Sequence, residues 1–454
     1  MADTAPTDPA TQVDTNASAG AEHGYPHGHL GHLSQHEEAQ LVAFKNLLEE
    51  KGLYKPGPPA SHDDPTLLDV SEVVKLTCFF LFSSYSRYLR ARRWVPEDAF
   101  TQFKDTEDWR VASDIDTLYR TIELDAYEES RRLYPQWTGR RDRRGIPLYL
   151  YEIRHLDNKT IANYEKSGKE SFSKAKWDGK TPQGLLRLFA LYENLTRFTQ
   201  PFSTQLQDRQ HPDAPITLST NIVDISGVSL KQFWNLKGHM QAASQLATAH
   251  YPETLDRIFI IGAPVFFSTV WGWIKRWFDP ITVSKIFILS PHEVQPTLEQ
   301  FIEPRNIPKK YGGELEFNWG DQPTVDPAWE GVVRWENGHS SFKSRPAVWR
   351  VTDDGTRVEC FGLGSVGGKE QKELIASVPR TWPPAQEKSN GAATEKTTAA
   401  APVETPVEAA KTEPTAANGE EELAKLSISD TKEIAEKHTN GAAAPSPAIP
   451  STVA

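Results

Sequence analysis

The chain has 454 residues, enough for two or three domains and a sizeable buried core. Its 61 acidic residues exceed the 50 basic ones for a formal charge of -11, which excludes binding the phosphate backbone of nucleic acid as its main task. Two cysteines, Cys78 and Cys360, leave no disulfide framework and no cysteine-rich zinc site. The first residues lack the basic and apolar parts of a secretory leader, so a cytosolic protein is expected.

Residues 1–33 are rich in Ala, Thr, Asp and Gly and then in His, and read as a disordered tail. His23, His27, His29, His32 and His36 are metal ligands in kind, but nothing nearby would hold them rigidly, and no metal site is expected. From residue 34 to 133 the pattern is helical. Leu41, Phe44, Leu47 and Leu48 recur at three- and four-residue spacing, and Ala99, Phe103 and Trp109 follow the helix start at Pro96-Glu97-Asp98. From Ile146 the period changes. Ile146–Ile153, Ile216–Ile225, Ile258–Ile261 and Ile286–Leu289 read as strands. They alternate with helices over Gly184–Phe198, Leu230–His250, Val265–Phe278 and Glu293–Ile302. That alternation predicts an α/β fold with a mixed, mostly parallel sheet covered by helices. Residues 314–382 read as a small β-rich extension, with strands near Trp349–Val351 and Val358–Phe361. Residues 383–454 lack aromatic side chains and read as a second disordered tail.

The uncharged run from Ile258 to Ile274 reaches the lower length limit of a membrane-spanning helix, but Gly262 and Pro264 interrupt it. A strand, a break and a short aromatic helix are expected instead. In that helix Phe266, Phe267, Val270, Trp271, Trp273, Ile274, Trp277 and Phe278 occupy more than one face, and Lys275 and Arg276 sit near its end. The spacing suits a core helix, and it equally suits a lid that covers an apolar pocket and lies in a bilayer interface.

Enzymatic motifs are scarce. Neither a Gly-x-Ser-x-Gly elbow nor a His-Glu-x-x-His zinc helix occurs. Gly179-Lys180-Thr181 ends like a phosphate loop, but Lys174 replaces the required glycine. Gly362-Leu363-Gly364-Ser365-Val366-Gly367 spells a dinucleotide fingerprint without the following strand and acid, and reads as a glycine-rich turn. No nucleophile–base pair is visible, so an enzyme is not expected.

Several segments resemble one family: Leu89-Arg90-Ala91-Arg92-Arg93-Trp94, Gly145-Ile146-Pro147-Leu148-Tyr149, Val223-Asp224-Ile225-Ser226-Gly227, Tyr251-Pro252-Glu253-Thr254-Leu255-Asp256-Arg257, Phe278-Asp279-Pro280-Ile281-Thr282-Val283-Ser284-Lys285, and Ile307-Pro308-Lys309-Lys310-Tyr311-Gly312-Gly313. In collinear order from about Ser34 to Gly313, they resemble the CRAL-TRIO lipid-binding family, fungal phosphatidylinositol/phosphatidylcholine transfer type. The resemblance implies an N-terminal helical lobe over residues 34–133 and a lipid-binding domain over 134–313 whose sheet floors a lipid cavity. The aromatic helix would gate that cavity. It also implies that Arg92, Glu253, Thr282 and Lys285 hold an inositol phosphate headgroup, chemistry that suits two charge-assisted donors, a hydroxyl and an acceptor.

A second-lipid pocket is implied at Tyr149, Tyr192 and Ser219, where tyrosine rings suit a quaternary ammonium. Thr138, Asn221 and Ala247 depart from the family there, so phosphatidylinositol is expected to bind and phosphatidylcholine to bind weakly or be replaced by another phospholipid. A further departure is the segment 69–86 before the arginine motif, which reads either as an unspliced intron or as a true insertion.

The resulting expectation is a monomeric, cytoplasmic phospholipid exchange protein that is peripheral on Golgi or endosomal membranes. It would carry bound phospholipid as ligand, use no cofactor and support phosphoinositide metabolism and vesicle trafficking. The rival is a binding module of the same fold for a sterol, another hydrophobic molecule or haem, with His250 as a conceivable haem ligand if it faces the cavity. The arginines 140, 141, 143 and 144 are expected in a solvated hairpin loop.

Overall fold

A computed structural model describes residues 24–54, 86–167, 172–277 and 283–382. The questioned insert up to residue 85, Phe278, Thr282 and the tails before 24 and after 382 lie outside the described residues.

The helical lobe begins at α1 (Gln35–Glu50). Ser34 caps it: its hydroxyl accepts from the Glu37 amide at 3.3 Å, and the Glu37 carboxylate accepts from the Ser34 amide at 2.8 Å. This reciprocal box satisfies two amides that the first turn leaves without partners. Leu41, Phe44 and Leu48, on one stripe of α1, close on Tyr88 and Leu89 of α2 (86–91) and on Ala99 and Phe103 of α3 (Pro96–Ala112). After α2, Arg93 and Trp94 take left-handed backbone angles, and the Trp94 amide donates to the Leu89 carbonyl at 2.7 Å. That six-to-one bond ends the helix and turns the chain toward α3. Helices α4 (Ile115–Thr121) and α5 (Leu124–Arg131) complete the lobe.

The second lobe is built on strands β1 (Gln136–Arg141), β2 (Pro147–Glu152), β3 (Ser219–Asp224), β4 (Leu255–Ile261) and β5 (Ile286–Leu289), side by side in that order. The β1–β2 pair is antiparallel and the other three are parallel, so the expected mixed, mostly parallel sheet is present. Its crossovers carry α6 (Asn158–Ser167), α7 (Gln183–Asn194), α8 (Gln200–Thr204), α9 (Leu230–His250) and α10 (Phe267–Ile274). A last helix, α11 (Val294–Phe301), follows β5.

Strand alternation sorts the side chains onto two unlike faces. Leu148, Leu150, Ile222, Phe259 and Ile261 point to one side, sealed by Leu298 of α11 and by Ile302, Ile307, Tyr311, Leu315 and Phe317 after it. The other side carries two register rows: Tyr149–Asn221–Ile258–Ile286 and Tyr151–Val223–Ile260–Ile288.

Beyond the domain, β6 (Arg334–Trp335), β7 (Ala347–Val351), β8 (Arg357–Gly362) and β11 (Glu373–Pro379) form an antiparallel sheet in the order β6-β11-β8-β7, beside a hairpin of β9 (Ser365–Val366) and β10 (Lys369–Glu370). Trp329, Phe342 and Trp349 of this extension pack against Phe198 and Phe202, on the wide turn Leu195–Thr199 and on α8. The glycine-rich motif falls at the β8–β9 junction. A strand follows it instead of a helix, and the space a side chain at Gly364 would need is filled by Leu124.

Three expectations are corrected. Residues 24–33, read as part of a disordered tail, are packed: Tyr25 is 5% exposed among Ile146, Ala214, Ile216 and Leu218. One aromatic ring meeting a waiting apolar cluster orders a segment whose composition is otherwise polar. The arginine group is no solvated loop. Arg141 pairs with Asp208 and Asp326, Arg144 with Asp142 and Asp256, and Arg143 donates to the Glu299 carbonyl at 3.0 Å. Partners distant in sequence recruit charges that a local reading assigns to water. Finally, the α-helical part of the aromatic segment is shorter than expected, Phe267–Ile274, and gives way to a 3₁₀ turn over Lys275–Trp277.

Candidate functional site

The two faces of the large sheet differ in how completely they are filled. On the α11 side Leu148, Ile222 and Phe259 are fully covered. On the other side Tyr149, Val223, Ile258 and Ile286 are only half-buried, and Ile288 is 40% exposed. Above this side runs α9, about 31 Å long at the usual helical rise, and only Leu236 and His250 of its 21 residues are buried. Met240, Ala243 and Leu246 face the interior half-covered. Tyr192 is deep enough for burial to push its phenol up to about 12, yet it too is half-buried. Close-packed interiors do not leave such side chains half-covered, so open apolar space lies between α9 and the sheet.

α10 closes one side of that space. Phe267 and Val270 are buried against Ile225, Val228 and Ile260, with Phe233, Ile258, Trp271 and Ile286 around them. The chain enters α10 through Gly262 at φ +68°, where an added Cβ would lie 1.9 Å from the Ser226 hydroxyl oxygen. No side chain fits there, so the approach of the two loops requires glycine. Phe266 and Trp271 are half-buried, Trp273 is 44% exposed, and Val265 is fully exposed. Trp273 meets Trp234 of α9 edge-on at 6.1 Å, and Lys237 lies 5.3 Å over the Trp234 ring. Leu230 and Trp234 are themselves 49% and 57% exposed, with Lys231 beside them and Lys275 and Arg276 exposed across the crevice. Sequence reasoning missed Leu230 and Trp234. The only signal was two large apolar residues within a turn of Lys231 and Lys237, and it points nowhere until α9 lies beside α10.

The headgroup candidates come together in part. The Lys285 ammonium lies 3.5 Å from the Glu253 carboxylate and donates to the Leu255 carbonyl at 3.3 Å. Glu253 holds a left-handed φ of +54°, which a residue with a Cβ adopts only where its surroundings impose it. The preceding Tyr251 fixes that turn, donating its hydroxyl to Glu193 at 2.6 Å. Burial alone would raise the Glu193 carboxyl, but Arg110 and Arg197 more than offset it and hold Glu193 below the ordinary carboxylate range.

Arg92 does not join this pair. It is exposed at the end of α2, and its guanidinium makes no hydrogen bond or ion pair among the described residues. One half-turn earlier Arg90 is enclosed, donating to the Gly28 carbonyl at 3.0 Å and to the Ser86 hydroxyl at 3.1 Å. Burial lowers it to about 10, with the Glu253 charge pulling the other way. His29 sits between the same groups, kept neutral by burial and then by the positive fields of Arg90 and Lys285. The basic cluster beside Glu253 is therefore Arg90 and Lys285, with Arg92 outside it. A period argument cannot distinguish Arg90 from Arg92, because the turn after α2 decides which of them faces inward.

The second-pocket candidates lie near one end of the sheet. The Tyr149 hydroxyl donates to Thr199 at 3.1 Å, and Tyr192 stacks on Tyr251 at 4.9 Å. The Ser219 hydroxyl donates to the Thr254 carbonyl at 3.1 Å and accepts from Asn221 at 3.1 Å, so its hydrogen-bonding capacity is engaged within the protein. Thr138 is likewise occupied, donating to the Leu148 carbonyl at 3.0 Å. His250, the conceivable haem ligand, stacks flat on Trp109 of α3 at 4.0 Å and contacts the Thr106 hydroxyl. Its ring is part of the packing between α9 and the helical lobe.

Residues 131–313 match the model of the CRAL/TRIO domain. The chain is similar to the SEC14 cytosolic factor of Eremothecium gossypii, 27% identical over 67% of this chain and 83% of that one. It is also similar to the Sec14 cytosolic factor of Schizosaccharomyces pombe, 28% identical over 69% and 94%. A phosphatidylinositol/phosphatidylcholine transfer protein of Arabidopsis thaliana, SFH7, is 30% identical over 50% of this chain and 38% of that protein. The crystal structure of Sfh5 matches 64% of this chain and 91% of that one with 14% identity and a TM-score of 0.44. Among the described residues no helix is long and apolar enough to cross a membrane.

Proposed function

Since this chain belongs to the CRAL/TRIO domain family through residues 131–313, we propose that it extracts one phospholipid, phosphatidylinositol foremost, from a membrane and carries it to another. The observation that carries the reading is the contrast between the sealed face of the sheet and its half-covered opposite face, roofed by α9 and closed by α10. Acyl chains laid on Ile258, Val223 and Ile286 complete that packing and escape water in transit. No bond is made or broken, and no cofactor takes part.

Lys285 and Glu253, 3.5 Å apart, take the phosphate and the inositol hydroxyls, and the nearby positive charge of Arg90 reinforces the field there. The departures at Thr138 and Asn221, both already hydrogen-bonded internally, disfavour phosphatidylcholine as the second ligand. The gate swings at Gly262, and the exposed Trp273 with Lys275 and Arg276 meets an anionic bilayer surface. The similarity to cytosolic factors supports a cytosolic chain, and we infer Golgi and endosomal surfaces and phosphoinositide supply as its setting.

The test is mass spectrometry of lipid released by denaturing the purified protein, beside a Thr282→Ala, Lys285→Ala double variant. Phosphatidylinositol in the parent and its loss from the variant is the expected result. A sterol or haem in the parent, unchanged by the substitutions, would overturn the phospholipid reading.

A further inference from the structure

The packed segment 24–33 brings a histidine of the N-terminal tail to a distant loop. His32, His211 and Asp213 place one ligand atom each within 4.8 Å of one another. His32 Nε2 lies 2.9 Å from an Asp213 carboxylate oxygen, and the His32 and His211 rings stand edge to face at 5.3 Å. The His32 nitrogen is shielded from solvent and faces the Asp213 carboxylate. We propose that His32, His211 and Asp213 form a divalent transition-metal site, best suited to zinc, that fastens the N-terminal segment to the loop before β3.

The donor set is chemically apt. Two imidazoles and one carboxylate are borderline ligands that zinc accepts, leaving a fourth tetrahedral position for water. With metal–ligand bonds of about 2.0–2.2 Å, donors around a tetrahedral zinc stand about 3.4 Å apart. The widest pair, within 4.8 Å, has to close by up to about 1.4 Å, and the His32–Asp213 pair at 2.9 Å has to open by about 0.5 Å, both within the reach of small side-chain rotations.

The loop is held from behind so that its side chains stay available. The His211 carbonyl accepts from Arg209 at 2.9 Å and from the Tyr25 hydroxyl at 3.4 Å, and the Asp213 carbonyl accepts from the Trp382 indole at 2.9 Å. Such backing groups fix the orientation of first ligands. Gly31, at φ +88°, lets the tail pass close to the Asp213 backbone, where a Cβ would stand 3.1 Å from its carbonyl oxygen. His36, exposed on α1, lies outside the cluster. The inference stands on this geometry alone and is independent of what the lipid cavity carries.

The full chain, stripped with a chelator and dialysed against zinc, tests it by bound metal per chain and by the thermal melt with and without zinc. We expect one zinc per chain and a melting temperature that rises with zinc. His211→Gln and Asp213→Asn should each weaken zinc binding at least about tenfold, while His36→Gln leaves it unchanged. Asp213 is exposed, so its isosteric change tests the ligand without testing the core, and the metal-free melts of both variants verify folding. Cobalt in place of zinc should give the visible absorption of a tetrahedral site, lost in Asp213→Asn. Absence of stoichiometric zinc, or binding that survives both substitutions, would overturn the site and assign any retained metal to histidines elsewhere in the chain.

Discussion

At Glu253 function and stability part company. A left-handed φ costs a residue with a Cβ about 1–2 kcal/mol, and its ion pair with Lys285, about a quarter exposed on both sides, returns less than about 1 kcal/mol. Glu253→Gly should therefore leave the urea midpoint unchanged or raised, while phosphatidylinositol retention falls about tenfold. A lowered midpoint would show that the carboxylate is structural. His250 makes the opposite case, a residue whose chemistry is stability. Burial depresses its pKa from 6.5 to about 4 in the folded protein. Between those values the unfolded chain binds more protons, so stability is complete above pH 6.5 and falls by up to about 3 kcal/mol as the pH drops to 4. His250→Phe, which keeps the stack on Trp109, should flatten that slope in urea titrations at pH 4.5 and 7. The identity of each residue was legible in the sequence. The strain at Glu253 and the stack at His250 were not, since both arise from partners more than fifty residues away.

At the scale of elements, the meeting of α9 and α10 matters most. Each helix alone carries a few apolar residues that a period analysis assigns to a core. Side by side they expose Leu230, Trp234, Val265 and Trp273 around Lys237, Lys275 and Arg276, an apolar patch with a basic rim. Such a patch suits an anionic interface, where indoles sit at headgroup depth. Trp234→Ala combined with Trp273→Ala should lower binding to anionic vesicles at least about tenfold, with the melting temperature little changed because both rings are about half exposed. Unaltered vesicle binding would place the membrane contact elsewhere. The strand and helix boundaries near this site follow from periodicity: α9 runs from Leu230 to His250 and β5 from Ile286 to Leu289, as the spacing predicts. The aromatic segment yields less well, because tryptophans on all faces carry no period and the break at Gly262 is set by contact with Ser226.

Across the whole molecule, the extension and the N-terminal segment both reach the loop before β3, in addition to their other contacts with the CRAL/TRIO domain. Trp382, 3% exposed, donates its indole N–H to the Asp213 carbonyl, and the Gln205 side chain bonds both the amide and the carbonyl of Trp382. Trp382→Ala should destabilise the protein by about 3–5 kcal/mol, read as a shift in urea midpoint, and weaken the loop that carries His211 and Asp213. An unchanged midpoint would mean that the Trp382 contact adds nothing to the packing of Trp329, Phe342 and Trp349 on the domain.

The sequence alone determined the alternation of strands and helices and the position of the aromatic segment. These are matters of period, composition and motif, which are local along the chain. The tertiary structure decided which of Arg90 and Arg92 faces inward, where the arginines after residue 139 find their carboxylates, and that His32 meets His211 and Asp213. Those outcomes depend on which distant segments come within a few ångströms. Burial and Coulombic attraction act through space, and no spacing along the chain encodes them.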